Sequence, residues 1–359
     1  MANQRFKTLH EFVQAARLNL NQTHWDYLIG GTETETTLKR NRLAIDSLAL
    51  MPRVLRDVSE VDPSTALLGQ ALALPVVLAP IGSLQVFDAL GGAAAAWAAE
   101  AAGIMSFASS VCEPSLEAIA AASTAPKVYQ LYVRGDEDWV DDIVHRVIHC
   151  GYQALCLTVD TAVLSRRERD IAKRVVPTSQ ASPGDFRYQA TLSWSDVERI
   201  KATHPIPLII KGINHPEDAK IAIEHGVEVI YVSNHGGRQL DQGLGAIDLL
   251  PEIKAVVGDR AEIIIDGGFY RGTDIVKAIA LGANAVGLGR LQGWALAAGG
   301  QAALLDCLNI LKLEIIEALA LCGVSRLDDL NAAYVRPARA VTPASALSAF
   351  PLLTLNEGY

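Results

Sequence analysis

The sequence predicts an α/β fold: a parallel (β/α)8 TIM barrel with an N-terminal helical extension and an irregular C-terminal tail. Three observations predict it. From Pro75 onward, eight short β-type runs alternate with helical segments. Glycines (Gly103, Gly151, Gly226, Gly258 and Gly282) stand where the helices between them should stop. Nearly every β-type run also ends in polar residues or glycine, the rim at which barrels of this kind carry their reacting groups. A doubly wound open sheet is the competing arrangement, weakened because no GxGxxG follows the first strand.

Residues 1–70 form the extension, with a helix from Leu9 to Ala16 and then the segment Trp25-Asp26-Tyr27-Leu28-Ile29-Gly30-Gly31. The barrel occupies residues 71–333. Its strands are expected at Pro75 to Ala79, Ile104 to Ala108, Lys127 to Leu131, Ala154 to Val159, Pro207 to Ile210, Val229 to Val232, Glu262 to Ile265 and Ala285 to Leu288. Each is a short apolar run rich in residues that fit a buried strand. Amphipathic or alanine-rich segments lie between them: Ala93 to Ala102, Asp138 to His149, Pro216 to His225, Ile247 to Val256 and Thr273 to Leu281. Residues 334–359, rich in Ala, Pro and Ser, suggest a mobile tail or a surface extension without chemistry.

Composition narrows the function. Half of the 359 residues are hydrophobic and a fifth are charged, enough for a large core. A net charge of -9 argues against a nucleic-acid partner. No apolar run reaches the roughly twenty residues needed to span a bilayer, and the N-terminus has no apolar signal core, so no membrane partner and a cytoplasmic location are expected. Five scattered cysteines, without CxxC pairing, fit reduced thiols and give no metal-site spacing.

The chemistry is most legible in Tyr231-Val232-Ser233-Asn234-His235-Gly236-Gly237-Arg238-Gln239-Leu240-Asp241. An apolar run breaks at once into polar residues, two glycines and a charge. A histidine at a strand exit can take a proton near neutral pH. An arginine three residues later can hold a carboxylate through two parallel hydrogen bonds. Together they suggest a base and an anion clamp facing one small acid; a solvated polar loop is the plainer alternative.

Ser233 to Asp241 resembles the active-site signature of the FMN-dependent 2-hydroxy-acid oxidases and dehydrogenases, a family that includes glycolate oxidase, lactate oxidase, lactate monooxygenase and mandelate dehydrogenase. The similarity runs from about Leu9 to about Asn331. It implies an FMN cofactor contacted by Pro80, Ile81, Gly82, Ser109, Gln130, Thr158, Lys211, Ser233, Asp266, Gly267, Gly268, Gly289 and Arg290. The residue types agree: Ser109, Gln130 and Thr158 can hydrogen-bond the edges of a polar ring, and Lys211 can stabilise an anionic reduced flavin. Gly267-Gly268 and Gly289-Arg290 follow strands seven and eight, the usual barrel position for a phosphate. The resemblance also implies substrate contacts at Tyr27, Tyr132, Arg167, His235 and Arg238, with Arg167 and Arg238 on the carboxylate, His235 as base, Asp160 orienting it and Tyr132 on the reacting oxygen. The activity implied is oxidation of an (S)-2-hydroxy acid to the 2-oxo acid, with O2 or another carrier as electron acceptor. A homotetramer is implied by the family alone.

Three positions and one segment depart from the family pattern. Tyr270 stands where a phosphate-facing arginine is usual. Gly82 stands where the oxidases tend to have alanine, which predicts weak reaction with oxygen or a monooxygenase outcome. Val111 replaces a bulky tryptophan and predicts a substrate larger than glycolate. The lid segment Ile171 to Ser193 is shorter than usual. An FMN-dependent isomerase, or a non-catalytic flavin-barrel binding protein, are the alternatives to be tested.

Overall fold

A computed structural model describes residues 5–176 and 184–354. Eight parallel strands close into a barrel: β1 (Val76–Leu78), β2 (Met105–Ser109), β3 (Lys127–Leu131), β4 (Ala154–Thr158), β5 (Leu208–Ile213), β6 (Val229–Val232), β7 (Glu262–Ile265) and β8 (Ala285–Leu288). Each pairs with the next in sequence, and β8 returns to β1, with Val286 opposite Val76 and Leu288 opposite Leu78. That closure excludes the open sheet. The predicted and observed strands agree to within a residue or two at most ends. The largest shift is in β5, which runs on to Ile213 through a register break between Lys211 and Ile213.

Strand residues alternate between two environments, as the pleat requires. Val76, Leu78, Leu155, Leu157, Leu208 and Ile210 face outward and pack under the surrounding helices. Val77, Phe107, Val128, Cys156, Ile209, Tyr231, Ile264 and Ala285 face inward and fill the barrel. The lower mouth is plugged by a hairpin that the sequence reading missed, Thr65–Leu67 with Gln70–Leu72, whose Leu67 and Leu72 are fully buried against that interior.

The helices Gly92–Ala102, Glu137–His149, Pro216–Glu224, Ala246–Val257 and Gly272–Ala280 lie where predicted, each followed by its expected glycine. The extension holds three helices rather than one: Leu9–Asn19, Gln22–Ile29 and Thr36–Asp46. The third lacks a strong apolar period, and its start is fixed from outside: Asp241 accepts from the Thr34 and Thr37 amides at 2.9 and 2.8 Å. The last helical stretch, Arg290–Cys322, is two helices merged across a break at Gly299-Gly300.

Of the two readings of the tail, the structure favours the surface extension over the mobile one. Val335–Pro337 pairs antiparallel with Leu48–Leu50, and Phe350 is fully buried. Phe350 anchors the segment, with Leu347 and Leu353 packed against the same core. Among the described residues no helix is long and apolar enough to cross a membrane.

Candidate active site

The inward positions of the strands explain the site's floor. Counting two residues on from the last apolar inward residue gives Ser109, Gln130, Thr158, Lys211, Ser233 and Asp266, six of the residues singled out from sequence. They form a polar layer on top of the apolar barrel core, joined into two arcs. Ser109 Oγ donates to Gln130 Oε1 at 2.6 Å, and Gln130 Nε2 donates to Thr158 Oγ1 at 2.9 Å. Lys211 Nζ donates to Ser233 Oγ at 2.8 Å, and Ser233 Oγ donates to Asp266 Oδ1 at 2.6 Å. Lys211 is buried, yet it stays cationic: burial lowers its pKa, but the carboxylates of Asp266, 3.3 Å away, and Asp160 outweigh that and raise it.

Above this floor is an open cleft. Its walls carry Tyr27, Pro80, Ile81, Gly82, Tyr132, Arg167, Lys211, His235, Arg238, Asp266, Gly267, Gly268, Gly289 and Arg290, all expected from sequence. Ser109, Gln130, Thr158 and Ser233 belong to the floor, and Asp160 sits behind His235. Leu28, Phe87 and Phe269 were not anticipated; with Ile81 and Val111 they make part of the wall apolar.

His235 leaves β6 in a left-handed conformation (φ 58°), followed by Gly236 and Gly237 with φ of 63° and 74°. The Gly237 turn runs so close to the helix Thr36–Asp46 that a Cβ there would lie 2.4 Å from the Leu38 amide nitrogen. The turn aims the imidazole across the cleft. Nδ1 lies 3.0 Å from Asp160 Oδ1, and Nε2 lies 3.3 Å from the Tyr132 hydroxyl. Asp160 fits there because β5 bulges at Gly212 (φ 113°), where a Cβ would come within 2.7 Å of the Asp160 Cβ.

Electrostatics set the protonation states of this pair. Burial lowers the His235 pKa below its ordinary value, with Asp160 acting in the opposite direction and Lys211 and Arg167 reinforcing the fall. Burial alone would raise the Asp160 carboxyl, but the charges of His235 and Lys211 hold it below the usual carboxylate range. The imidazole is therefore neutral at neutral pH beside an ionised carboxylate.

Two guanidinium groups, Arg167 and Arg238, crowd into the same cleft. Arg238 Nη1 donates to the carbonyls of Tyr27 and Gly30 at 2.6 and 3.0 Å, and its head lies 4.8 Å from the Tyr27 ring centre. Burial and the neighbouring Arg167 push its pKa down to about 9, so an arriving anion would relieve it. Arg167 stands just before the short helix Glu168–Ala172 without a side-chain bond to its first turn, and its Nε is buried without a partner. The buried Asp170 sits close enough for both arginines to pull its carboxyl down against a net rise caused by burial. The Tyr27 hydroxyl donates to Ser83 Oγ at 3.0 Å.

The helix behind Arg167 is tied to the extension. Arg169 binds both Glu35 oxygens at 2.6 and 2.8 Å and reaches Asp26 at 3.2 Å, and Lys173 also pairs with Asp26. Replacing Arg169 by Met should raise KM for an anionic substrate about three- to five-fold with little change in kcat, the worth of a partly exposed ion pair; steady-state kinetics would check this. Gln189, also missed, bridges β3 and β4: its side chain accepts from the Val133 amide at 2.7 Å and donates to the Thr158 carbonyl at 2.7 Å. Within the lid segment Ile171 to Ser193, residues 177–183 lie outside the described residues.

The residues fit an FMN. The floor offers donors and acceptors in one layer with a fixed cation, and the strand-seven and strand-eight end offers glycines, open space at Gly289 and a buried Arg290 whose Nε has no partner. Arg290 Nη1 and Nη2 donate to the carbonyls of Gly236 and Gly30 at 2.9 and 2.8 Å.

The family model for the FMN-dependent dehydrogenases matches residues 16–337. The chain belongs to the FMN-dependent dehydrogenase family. FMN is its cofactor, and it is an oxidoreductase. An L-lactate oxidase of Nostoc sp. (strain PCC 7120) is 39% identical over 354 residues, covering 91% of this chain and 97% of the relative. Glycolate oxidase 1 of Oryza sativa subsp. indica is 35% identical, covering 90% and 94%. Among solved structures, a mandelate oxidase superposes with a TM-score of 0.88 at 35% identity, covering 94% of this chain and all of that one. This member of the family is a closed eight-stranded barrel, and it shares its overall fold with that mandelate oxidase.

Proposed function

We propose that this FMN-dependent dehydrogenase-family enzyme oxidises an (S)-2-hydroxy acid to the 2-oxo acid and passes the electrons to O2 or another carrier. The observation that carries the reading is the meeting of one neutral imidazole and two crowded guanidinium groups around a single cleft. FMN, when bound, supplies the two-electron acceptor.

The protein's own groups do the rest. Arg167 and Arg238 bind the substrate carboxylate, aided by Tyr27, and so fix the orientation of C2. His235 takes a proton from the substrate at Nε2. Asp160, on Nδ1, holds the imidazole in the tautomer that leaves Nε2 free and stabilises the imidazolium that results. Tyr132 hydrogen-bonds the reacting oxygen. Burial pushes the Tyr132 phenol up, so it stays protonated and donates. Phe87, Ile81, Leu28 and Val111 favour an aryl or branched side chain over glycolate. A homotetramer in the cytoplasm belongs to the same proposal; the five free thiols suit a reducing compartment.

Two measurements test this reading. The anaerobic yellow enzyme should bleach with at least one (S)-2-hydroxy acid bearing an apolar side chain and should not bleach with its (R) enantiomer; flavin that stays oxidised with every acid tried would reject it. Re-oxidation by air against a dye then separates an oxidase from a dehydrogenase. The pH profile of kcat/KM should rise with pH along a limb below 6.5 and be flat by neutrality, because the neutral imidazole is the active form and its pKa is depressed. In Asp160→Asn the limb should move to still lower pH, since Asp160 is what raises the imidazole's pKa, and turnover should fall on the order of 100-fold.

A further inference from the structure

The buried Phe350 has no place in the chemistry above, yet its surroundings connect it to the cofactor cleft. Its ring stands edge-on to Trp294, with centres 5.5 Å apart, and tilted against Tyr270 at 5.6 Å; His10 closes the far side at 5.6 Å. Tyr270 and Trp294 are themselves 5.2 Å apart. Trp294 lies one helical turn after Arg290, on the same face of the helix that starts at the end of β8. Tyr270 and Arg290 both line the cleft at its glycine-rich end, beside Gly267, Gly268 and Gly289.

The Tyr270 backbone is tied down. Asp274 Oδ2 accepts from the Tyr270 and Arg271 amides at 3.0 Å each, and the same carboxylate is held by Arg42 through 2.6 and 2.9 Å bonds. What is left to fix is the rotation of the phenol ring, and Trp294 and Phe350 pack against it. An apolar cage of this kind accepts a phenol ring, whose hydroxyl can remain at the polar edge. It offers no partner to a guanidinium buried in its place. Burial pushes the phenol's pKa up, with Arg290 the strongest opposing charge, so the hydroxyl remains a donor at neutral pH.

We propose that in this chain the phosphate of FMN is held by Arg290 together with the Tyr270 hydroxyl, and that the C-terminal segment, through Phe350, is the positioning element for that hydroxyl. The tail is then part of the cofactor site although it touches none of the reacting groups. The inference rests on FMN binding with its phosphate at the β7–β8 end, and it is independent of which substrate is oxidised.

The test compares two flavins that differ only in the phosphate. Apoprotein is titrated with FMN and with riboflavin, following flavin fluorescence, and the ratio of the two dissociation constants is the readout. Tyr270→Phe should reduce the preference for FMN about ten-fold while leaving riboflavin binding unchanged, the loss expected for one hydrogen bond to a charged acceptor. Phe350→Leu, which keeps an apolar plug but removes the ring, should reduce the same ratio about three-fold or more. The double variant should lose no more than Tyr270→Phe alone, about ten-fold and less than the product of the two single losses, because both changes act on the same contact. An unchanged ratio in Tyr270→Phe, or equal weakening of both flavins in the two single variants, would overturn the proposal. Neither outcome depends on turnover, so a failure here is distinct from a failure to oxidise hydroxy acids.

Discussion

His235→Gln should lower turnover by about three orders of magnitude while FMN stays bound. Glutamine keeps a polar side chain of similar reach, so the hydrogen bond now made to Asp160 at 3.0 Å can be replaced in kind. What it cannot do is accept and hold a proton. The floor is untouched: Lys211, Ser233 and Asp266 keep their bonds to each other, so flavin affinity should change little. The check is stopped-flow bleaching under anaerobic conditions beside a flavin titration. Bleaching at near-normal rate would end the assignment of His235 as base.

Arg42→Met should destabilise the fold by about 3–5 kcal/mol, because it leaves one buried carboxylate without its partner. Arg42 is 3% exposed and spans three groups: both oxygens of Asp274, Asp46, and the Gly268 carbonyl at 2.8 Å. Asp274 is 2% exposed and in turn orders the loop after β7. Urea unfolding should show the loss as a lower midpoint, and flavin affinity should fall with it. The deficit should shrink in acid. With Arg42 present the Asp274 carboxyl is held below its ordinary range, against the rise that burial alone would cause, so its contribution is present above the unfolded-state value and is lost as pH falls through the folded one. A deficit equally large at low pH would show that packing, not charge, is what Arg42 provides.

Much of this molecule is legible in its sequence for one physical reason. A barrel strand alternates inward and outward, so an apolar run followed by Ser109, Gln130, Thr158, Lys211, Ser233 or Asp266 already says which side chain faces the mouth. The His235-Gly236-Gly237-Arg238 turn is legible because its residue types are rare together at a strand exit. What escaped were isolated side chains whose partners are distant in sequence. No local motif marks Asn41 or Arg42, which lie in a weakly apolar helix. Only their place between Leu38 and Ile45, three or four residues from each, marks them as part of its buried face. Asn41 exchanges hydrogen bonds with Asn234 at 2.8 and 2.7 Å, a link across 193 residues that no local period reveals. The hairpin that plugs the barrel offers two three-residue strands, too short for alternation to register. Phe350 was hidden by its neighbours, in a segment rich in Ala, Pro and Ser whose composition gives no core period.

The central claim is that one cleft brings His235, Arg167 and Arg238 onto the same small acid over the flavin. The most direct measurement is a crystal structure of the FMN-loaded enzyme with a bound 2-oxo acid, the product of the proposed reaction. The account predicts its carboxylate at about 3 Å from guanidinium nitrogens of both arginines, and its 2-oxygen within hydrogen-bond reach of the Tyr132 hydroxyl and of His235 Nε2. An acid bound with its carboxylate away from Arg167 and Arg238, or with His235 turned out of reach, would contradict it.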